Sequence, residues 1–410
     1  MESKEGALAG VRVLDLAHVI AGPFAATLLA DMGADVVKVE APGRGDGMRA
    51  LGPREAGAGL WWRVGGRNKR SLELDLRVPR GRDALLRMAA CADVVIESFR
   101  PGTLERWGLG PDALHAANPR LILLRISGYG QDDPGRRPGF GRVAEAMSGA
   151  IHLSGEPARA PMHPGFSLGD NATGLMGAFA VATALYARER TGRGEVIDLA
   201  LFETLFRMIE WQLPIADRCG EAVQRQGNRF PLGYAVGGSF ETADGRWITL
   251  SAATNRTILK ILHAVGGEEL ACDPRYSTME ARAQERNLEA VYARVAEWVR
   301  ERTAQEAIEQ LRAVDVAVGR VYDAADILAD ETYLRRRLVL EVPDAELGMM
   351  RQPGIVPRLR NAPGSVRRLA PALGEHNEEV LRELAGLDAD EIAALYEEVE
   401  RAAAGSSQRA

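Results

Sequence analysis

The chain has 410 residues, of which 46% are hydrophobic and 26% are charged, a composition typical of a soluble globular protein with two to three domains. Its 51 Lys and Arg against 57 Asp and Glu give a formal net charge of −6, which excludes proteins that bind nucleic acids through an overall basic charge. Three widely spaced cysteines exclude a disulfide framework. No apolar run has the length of a membrane span, and the N-terminus lacks a signal-peptide layout. We therefore expect a cytoplasmic enzyme that binds neither nucleic acid nor a membrane.

The first half of the chain alternates short apolar runs with helical patterns. Strands are predicted at residues 11–16, 35–39, 93–96, 121–126 and 195–201, and helices at 24–32, 82–91 and 171–190. Near-continuous apolar strands separated by helices predict an α/β fold, in which a parallel sheet is covered on both faces.

The second half has a different pattern. The character of the chain changes over 128–165. Its first part, GYGQDDPGRRPGFG (128–141), is dense in Gly, Pro and charge and predicts a loop of about fourteen residues, and 218–238 predict a linker. A strand at 247–251 and helices at 255–265, 281–301 and 303–313 follow, then a loop at 343–372 and an amphipathic stretch at 375–401. We expect a large Rossmann-like domain at 1–201, a linker at 202–225, a smaller α+β domain at 226–330, and a segment at 331–410 that returns to the large domain.

Asp170 lies in the segment GDNATG, directly before a predicted helix. One interpretation is an N-cap, because Asp at this position accepts hydrogen bonds from the first backbone N–H groups. The other is a carboxylate nucleophile, since a helix N-terminus favours the ionised form and the small neighbours Gly169, Ala172 and Thr173 admit a bulky substrate. The two roles are compatible, and the local sequence does not choose between them.

The first strand-to-helix turn, AHVIAGP (residues 17–23), occupies the place where open α/β sheets bind nucleotide-like ligands. It lacks the GxGxxG fingerprint, although Glu40 ends the second strand where a ribose-binding acid would lie. A GxGxxA match at Gly139–Ala144 follows a loop instead of a strand, so a nicotinamide oxidoreductase is a weak alternative. The six histidines show no metal-ligand spacing, and we expect no metal site.

Basic and apolar residues cluster after successive predicted strands, in NKRS (68–71) with Arg77 and in FRP (99–101) with Arg106 and Trp107. Such clusters are typical of sites for an anionic ligand with a flat ring, because Arg binds phosphates and apolar faces stack against a base. Solvated surface residues would give the same pattern.

Eight sequence blocks, in consistent order, together resemble the family III CoA-transferases, which include formyl-CoA:oxalate and carnitine-type CoA-transferases. The blocks are LAGVRVLDLAHVIAGP, NKRSLELDL, DVVIESFRPGTLERWGL, RISGYG, AEAMSG, GDNATGLMGAFAVATAL, TGRGEVIDLALFE and LGEHNEEVL. The resemblance implies ping-pong transfer of CoA between carboxylic acids through an aspartate that matches Asp170. It also implies no permanently bound cofactor, a CoA thioester as substrate, and an interlocked homodimer.

The resemblance carries over a set of binding residues, one position at a time. The implied CoA contacts are His18, Val19, Ile20, Ala21, Leu74, Arg77, Ser98, Phe99, Arg100 and Arg106. A Gly-rich loop that closes over the aspartate in the family matches Gly237 and Gly238. Ala41 and Pro42 stand where the formyl-CoA enzyme has an Arg, and Arg44 is a candidate replacement.

The main alternative within the same fold is an α-methylacyl-CoA racemase, which moves the α-proton with a His–Asp pair. The corresponding segment here is Gly139-Phe140-Gly141, without a His or an Asp. Because a proton shuttle needs two bases, the transferase is favoured. The sequence GFGRVAEAMSG resembles that of relatives acting on dicarboxylates. Arg142 and His163 are therefore candidates for pairing with a second carboxylate of the substrate.

Overall fold

The computed structural model describes residues 6–135, 137–229 and 233–407. The chain forms two compact units. The first comprises Met1–Ala150, Pro164–Glu210 and Leu334–Ala410, and the second comprises Ile151–His163 and Trp211–Tyr333.

The first unit contains a parallel sheet and the helices that cover it. Its strands in chain order are β1 (Arg12–Asp15), β2 (Asp35–Glu40), the short pair β3 (Arg54–Glu55) and β4 (Ala58–Gly59), β5 (Lys69–Glu73), β6 (Val94–Glu97), β7 (Ile122–Ser127) and β8 (Glu195–Ala200). The helices are α1 (Ala21–Asp31), α2 (Leu60–Gly65), α3 (Pro79–Ala90), α4 (Thr103–Arg106), α5 (Pro111–Ala117), α6 (Gly141–Met147), α7 (Leu168–Thr191) and α8 (Glu203–Met208), with a 3-10 turn at Gly47–Ala50.

Six of these strands form one parallel sheet in the order β5-β2-β1-β6-β7-β8. This is the doubly wound Rossmann order, in which the chain winds to one side from β1 and to the other side from β6. One face packs against α3 and α16 (Asn377–Ala385), and the other packs against α1 and α7. The predicted α/β class with a parallel sheet covered on both faces is therefore confirmed.

Small residues allow α7 to lie close to its neighbours. A Cβ on Gly174 would be 2.6 Å from the carbonyl oxygen of Ala21 in α1, and a Cβ on Gly177 would be 2.9 Å from Cδ2 of Leu124 in β7. The helix ends at Gly192, whose φ of 69° is the left-handed conformation that glycine adopts most easily. These contacts place the N-terminal end of α7 beside the start of α1.

The second unit is a three-stranded antiparallel sheet with helices. Its elements in chain order are α9 (Gln212–Cys219), β9 (Val236–Glu241), β10 (Trp247–Ala252), α10 (Asn255–Cys272), α11 (Met279–Arg282), α12 (Glu285–Arg300), α13 (Ala304–Ala313), β11 (Ala317–Arg320) and α14 (Ala324–Ala329). The strand order is β11-β10-β9, and the sheet shares a core with α10, α12 and α13. This agrees with the predicted α+β character.

The C-terminal part contains α15 (Glu331–Arg335), the hairpin of β12 (Val339–Asp344) with β13 (Gly348–Pro353), then α16 and α17 (Ala389–Ser407). The predicted loop at 128–141 extends to the first residue of α6. Two expectations were wrong: the predicted linker at 218–238 contains the start of β9, and the segment predicted as a loop at 343–372 contains β13. In both cases glycine or proline lies within a strand at the edge of its sheet. Residues 136 and 230–232, within these predicted loops, lie outside the described residues.

Within the described ranges, no helix combines the length and the apolar character that a membrane crossing needs.

Candidate active site

The crevice between β1 and β6 brings together two groups of predicted CoA contacts. The backbone N–H of His18, after β1, donates a hydrogen bond of 2.8 Å to Oγ of Ser98, after β6. The rings of His18 and Phe99 meet edge to face with their centroids 5.0 Å apart. In open α/β sheets this point, where the winding reverses, is the ligand-binding crevice. The segments that meet here are His18, Val19, Ile20 and Ala21 on one side, and Ser98, Phe99 and Arg100 on the other.

The turn after β1 has an unusual backbone. Val19 has a φ of 68°, which a β-branched residue adopts only under constraint. Its N–H donates to Oδ1 of Asp46 at 2.9 Å. Buried Ile20 and Ala21 follow, and Ala21 is the first residue of α1. The N-terminal end of this helix therefore directly follows the turn, and the N–H groups of a helix N-terminus suit an anionic group.

Four buried charged side chains lie next to this turn, and none of them was among the site residues expected from the sequence. The ammonium of Lys38 lies 3.0 Å from Oδ2 of Asp46 and 3.7 Å from Oδ1 of Asp15, and that of Lys69 lies 3.0 Å from Oδ2 of Asp15. All four side chains are fully buried. Lys38 also donates to the carbonyl oxygen of Ala17, within the turn itself. The signal in the sequence was Lys38 inside the apolar strand β2, since a buried lysine requires an acidic partner. Lys69, the first residue of β5, gave no such signal.

The same burial affects His18. Desolvation, and then the positive charge of Lys38, lower the pKa of His18 below its ordinary value. At neutral pH the imidazole is therefore neutral and presents an uncharged ring to the crevice, next to Phe99.

The remaining predicted CoA contacts lie at other strand ends. Leu74 is buried directly after β5. Arg77 follows it and forms a two-bond fork with Asp75, while 71% of its side chain is exposed. This fork raises the pKa of Arg77, so the residue stays charged. Arg100 is exposed after β6.

Arg106 lies on α4, where its Nη2 donates to Oγ1 of Thr103 at 2.9 Å. It lines a cavity of about 480 Å³ together with Arg125 from β7. The guanidinium of Arg125 is itself paired with Glu97 at 2.7 Å and with Glu105 at 2.8 Å. Arg106 is therefore the more accessible of these two cations.

Glu40 is already engaged within the protein. Arg49 binds both of its carboxylate oxygens at 2.7 Å, and Oγ of Ser71 donates to Oε2 at 2.7 Å. A carboxylate with these partners has little capacity left for a ribose, which argues against the nicotinamide alternative. Arg44, the candidate phosphate contact, is exposed in the turn after β2.

Asp170 is the third residue of α7 and lies inside its first turn. The expectation that it directly precedes the helix was wrong by three residues, because Leu168 and Gly169 are already helical. Burial, and then the negative charge of Glu145, raise the pKa of Asp170 from 3.8 to about 6. At neutral pH the side chain is therefore mostly an ionised carboxylate, but a more basic one than usual.

Two residues of α6 surround this carboxylate. A Cβ on Gly141 would lie 2.2 Å from Oδ2 of Asp170, so the carboxylate occupies space that any other residue would fill. Oε1 of buried Glu145 accepts a hydrogen bond of 3.0 Å from the N–H of Gly169. Glu145 was not among the site residues expected from the sequence, where its only signal was an acid on the short helical pattern RVAEAM. Neither the phenyl ring of Phe140 nor Gly141 carries an ionisable group, so neither residue offers the second base that a racemase needs.

Gly237 and Gly238, predicted as an active-site loop, are strand residues. In β9 they pair with Ser251 and Leu250 of β10. A Cβ on Gly238 would lie 2.3 Å from the carbonyl oxygen of Asn228. The prediction of a loop at these two residues was therefore wrong. The glycine at 238 instead allows the backbone at Asn228 to approach the strand closely.

Comparison with known proteins identifies the activity class. Residues 8–377 match the sequence profile of CoA-transferase family III. The chain belongs to CoA-transferase family III. The resemblance stated from the sequence is thereby confirmed, and the protein is an enzyme that transfers CoA.

Individual relatives agree along almost the whole chain. It is similar to the succinyl-CoA–D-citramalate CoA-transferase of Chloroflexus aurantiacus, with 40% identity over 388 residues covering 94% of this chain and 96% of the relative. It is 34% identical to the succinyl-CoA:mesaconate CoA-transferase of Haloarcula marismortui, over 93% of this chain and 97% of the relative. A solved CaiB/BaiF family protein from Brucella suis has a TM-score of 0.82 at 32% identity, covering 93% of this chain and 100% of the other.

In the described part of the chain, no group of three or more His, Cys, Asp or Glu side chains is placed to hold a metal ion.

Proposed function

We propose that this family III enzyme transfers CoA from succinyl-CoA to a dicarboxylic acid, with Asp170 as the nucleophile. The observation that carries the proposal is the half-buried Asp170 carboxylate packed against Gly141, in the first turn of a helix lined by small residues. The donor and acceptor classes are supported by the names of the relatives, which act on D-citramalate and mesaconate.

The reaction consists of four acyl transfers. The Asp170 carboxylate attacks the thioester carbonyl, CoA thiolate leaves, and an aspartyl anhydride forms. The thiolate then attacks the aspartyl carbonyl, which releases succinate and leaves an aspartyl-CoA thioester. The acceptor carboxylate attacks this thioester and expels CoA, and the thiolate attacks the acceptor carbonyl of the new anhydride to release product and free Asp170. Since each bond broken is replaced by one of similar reactivity, the enzyme mainly has to position the groups and exclude water.

We propose that CoA lies in the crevice between β1 and β6. The N-terminal end of α1 and the accessible guanidinium of Arg106 suit its phosphates. The neutral His18 ring and Phe99 offer apolar faces for the adenine.

Arg142 is the candidate for binding the second carboxylate of the acceptor. It follows Gly141 on α6, its Nη1 lies 4.0 Å from Oε2 of Glu145, and 55% of its side chain is exposed. An Arg fork at the edge of the site suits a carboxylate. Arg142→Gln is expected to raise the KM for a dicarboxylate about tenfold and to leave the KM for a monocarboxylate unchanged. Equal effects on both acceptors would contradict this role.

The assay that tests the function uses succinyl-CoA as donor with citramalate, malate, mesaconate and acetate as acceptors. We expect transfer to at least one dicarboxylate, with the parallel double-reciprocal lines of ping-pong kinetics, and loss of transfer in Asp170→Asn. Transfer that survives in Asp170→Asn, or converging lines, would refute the mechanism. Failure with every dicarboxylate would refute the acceptor class.

We further propose that two chains form a homodimer, interlocked as the resemblance implies. Leu175, Phe179 and Tyr186 lie four and seven residues apart on α7 and are 57%, 66% and 69% exposed. Monomers rarely leave such an apolar stripe in water. Light scattering should give twice the 44.4 kDa of one chain, and Phe179→Glu should weaken the association. A mass of one chain for the unmodified protein would refute the dimer.

The cytoplasm is the compartment we propose for the enzyme. The three cysteines of the chain are exposed free thiols, and free thiols persist in a reducing environment. Recovery of the native protein from a membrane or secreted fraction would contradict this location.

A further inference from the structure

Glu145 is a buried acid beside the proposed nucleophile that the four acyl-transfer steps do not use. Only 1% of its side chain is exposed. Its Oε1 accepts the N–H of Gly169, the residue before Asp170, at 3.0 Å. Burying an ionised side chain costs free energy unless hydrogen bonds or opposite charges compensate it. Its hydrogen bond fixes the first turn of α7, which carries the nucleophile.

The geometry of α6 places the two carboxylates on one face of that helix. Gly141 and Glu145 are four residues apart, and side chains at this spacing point to the same side of a helix. A Cβ on Gly141 would lie only 2.2 Å from Oδ2 of Asp170, so the Asp170 carboxylate fills the space that a side chain at Gly141 would take. The carboxylate of Asp170 therefore lies next to Gly141, one helical turn of α6 before Glu145.

Glu145 is the charged side chain that acts on Asp170 through space. Its own helix adds Arg142, 4.0 Å from the other oxygen of Glu145. The charged groups on the other elements packed against α7 have partners elsewhere. They are Asp31 on α1 with Arg67, Arg125 on β7 with Glu97, Glu203 on α8 with the N–H of Ala200, and Asp198 on β8 with the N–H of Gln131; Glu195 on β8 and Arg207 on α8 are exposed.

We propose that Glu145 is a positioning residue that holds Asp170 over Gly141 and favours the covalent intermediates through like-charge repulsion. The proposal rests on the proposed role of Asp170 as nucleophile. Repulsion between two carboxylates raises the free energy of the free enzyme, in which Asp170 is ionised. It disappears in the anhydride and in the CoA thioester, because the acylated side chain of Asp170 is neutral.

The same repulsion also favours protonation of Asp170, since a proton and an acyl group both neutralise it. Burial is the larger cause of the raised pKa of Asp170, and Glu145 is the second. Acylation and protonation should therefore respond together when the charge of Glu145 is removed. If Glu145 only supported the fold, removing its charge would not change the protonation and the acylation of Asp170 together.

Glu145→Gln is the decisive variant, because the amide oxygen still accepts the N–H of Gly169 while the charge is lost. Glu189→Gln is the matched control. It removes the charge of an acid that is 70% exposed and lies near the C-terminal end of α7, far along that helix from Asp170. The first measurement is the carboxyl ¹³C titration of Asp170, assigned by its loss in Asp170→Asn. The second is the equilibrium fraction of enzyme in the covalent form with succinyl-CoA and no acceptor.

We expect Glu145→Gln to lower the Asp170 titration midpoint by at least about 0.3 pH unit, a twofold change in proton affinity, and to reduce the covalent fraction by a similar factor. Glu189→Gln should change neither quantity. An unchanged midpoint or an unchanged covalent fraction in Glu145→Gln would overturn the role of Glu145. If the midpoint falls but the unmodified enzyme forms no adduct and Asp170→Asn still transfers CoA, the proposed function fails while the electrostatic coupling stands.

Discussion

Replacing Asp46 by Asn should destabilise the protein, because this carboxylate compensates a buried lysine under the candidate CoA site. Asp46 and Lys38 are 3.0 Å apart and fully buried. Burial alone would raise the pKa of Asp46, but the charge of Lys38 and the N–H groups of Met48 and Val19 outweigh it and lower the pKa from 3.8 to about 2. One pKa unit corresponds to about 1.4 kcal/mol, so the ionised form of Asp46 contributes about 2 to 3 kcal/mol to folding at pH 7.

The sign of the pH dependence follows from the lowered pKa. The contribution of Asp46 is fully present above pH 3.8 and is lost as the pH falls towards 2. Asp46→Asn retains an oxygen that can accept the N–H groups, but leaves Asp15 as the carboxylate in ion-pair contact with both Lys38 and Lys69. We therefore expect the free energy of unfolding to fall by about 2 to 5 kcal/mol at pH 7, since breaking a buried ion pair on one side is costly.

Urea unfolding at pH 7 and at lower pH measures this loss. The control is Asp83→Asn, which removes one acidic partner of Arg87 in an exposed pair on α3, with side chains 62% and 44% exposed; Arg87 also lies 3.6 Å from Glu391. That change should alter stability by less than about 0.5 kcal/mol. If Asp46→Asn cost no more than the control, or if its cost did not shrink below about pH 4, the electrostatic account of the buried charges would be wrong.

Three further outcomes test the site. Gly141→Ala should lower kcat about 100-fold with the fold retained, as measured by steady-state kinetics and circular dichroism, because its Cβ would displace the Asp170 carboxylate; a normal rate would contradict the packing. The kcat/KM for succinyl-CoA should fall about tenfold per pH unit below pH 6, since the attacking form of Asp170 is the carboxylate and its pKa is about 6; a flat profile down to pH 5 would oppose this assignment. Ser98→Ala should weaken CoA binding about fivefold by calorimetry, because the N–H of His18 loses an acceptor worth about 1 kcal/mol; unchanged affinity would place CoA elsewhere.

The sequence predicted five of the six strands of the parallel sheet, because these are mostly apolar runs whose burial leaves few alternatives. It missed β5, which begins with Lys69, Arg70 and Ser71 and therefore does not have the pattern of a buried strand. Val13 and Leu14 in β1, and Ile122 to Leu124 in β7, are fully buried as their patterns require. The helix α6 escaped prediction because it has only seven residues, begins at a glycine and follows a loop rich in Gly and Pro.

The chemistry of the candidate site was only partly visible in the sequence. Asp170 could be identified from its small neighbours and from the resemblance to the family. Its raised pKa could not, because it depends on burial and on Glu145, which is 25 residues away in the chain and meets α7 only in the folded protein. For the same reason the pairing of Lys38 with Asp46 required the structure, although a lysine inside an apolar strand was a warning.

Gly238 illustrates a different difficulty. Glycine is depleted in strands, so two adjacent glycines predict a loop. What the sequence does not contain is the position of Asn228, whose carbonyl oxygen takes the space of the missing side chain. Close approach of two backbones is a tertiary property, and it overrides the local preference.

The most direct test of the account is to trap the covalent form of Asp170. The enzyme is mixed with succinyl-CoA in the absence of an acceptor and then treated with hydroxylamine, which converts an aspartyl anhydride or thioester into a stable hydroxamate. We predict that peptide mapping finds the hydroxamate on Asp170 of the native enzyme, and finds none in Asp170→Asn or without succinyl-CoA. A native enzyme that transfers CoA while Asp170 stays unmodified would contradict the central claim.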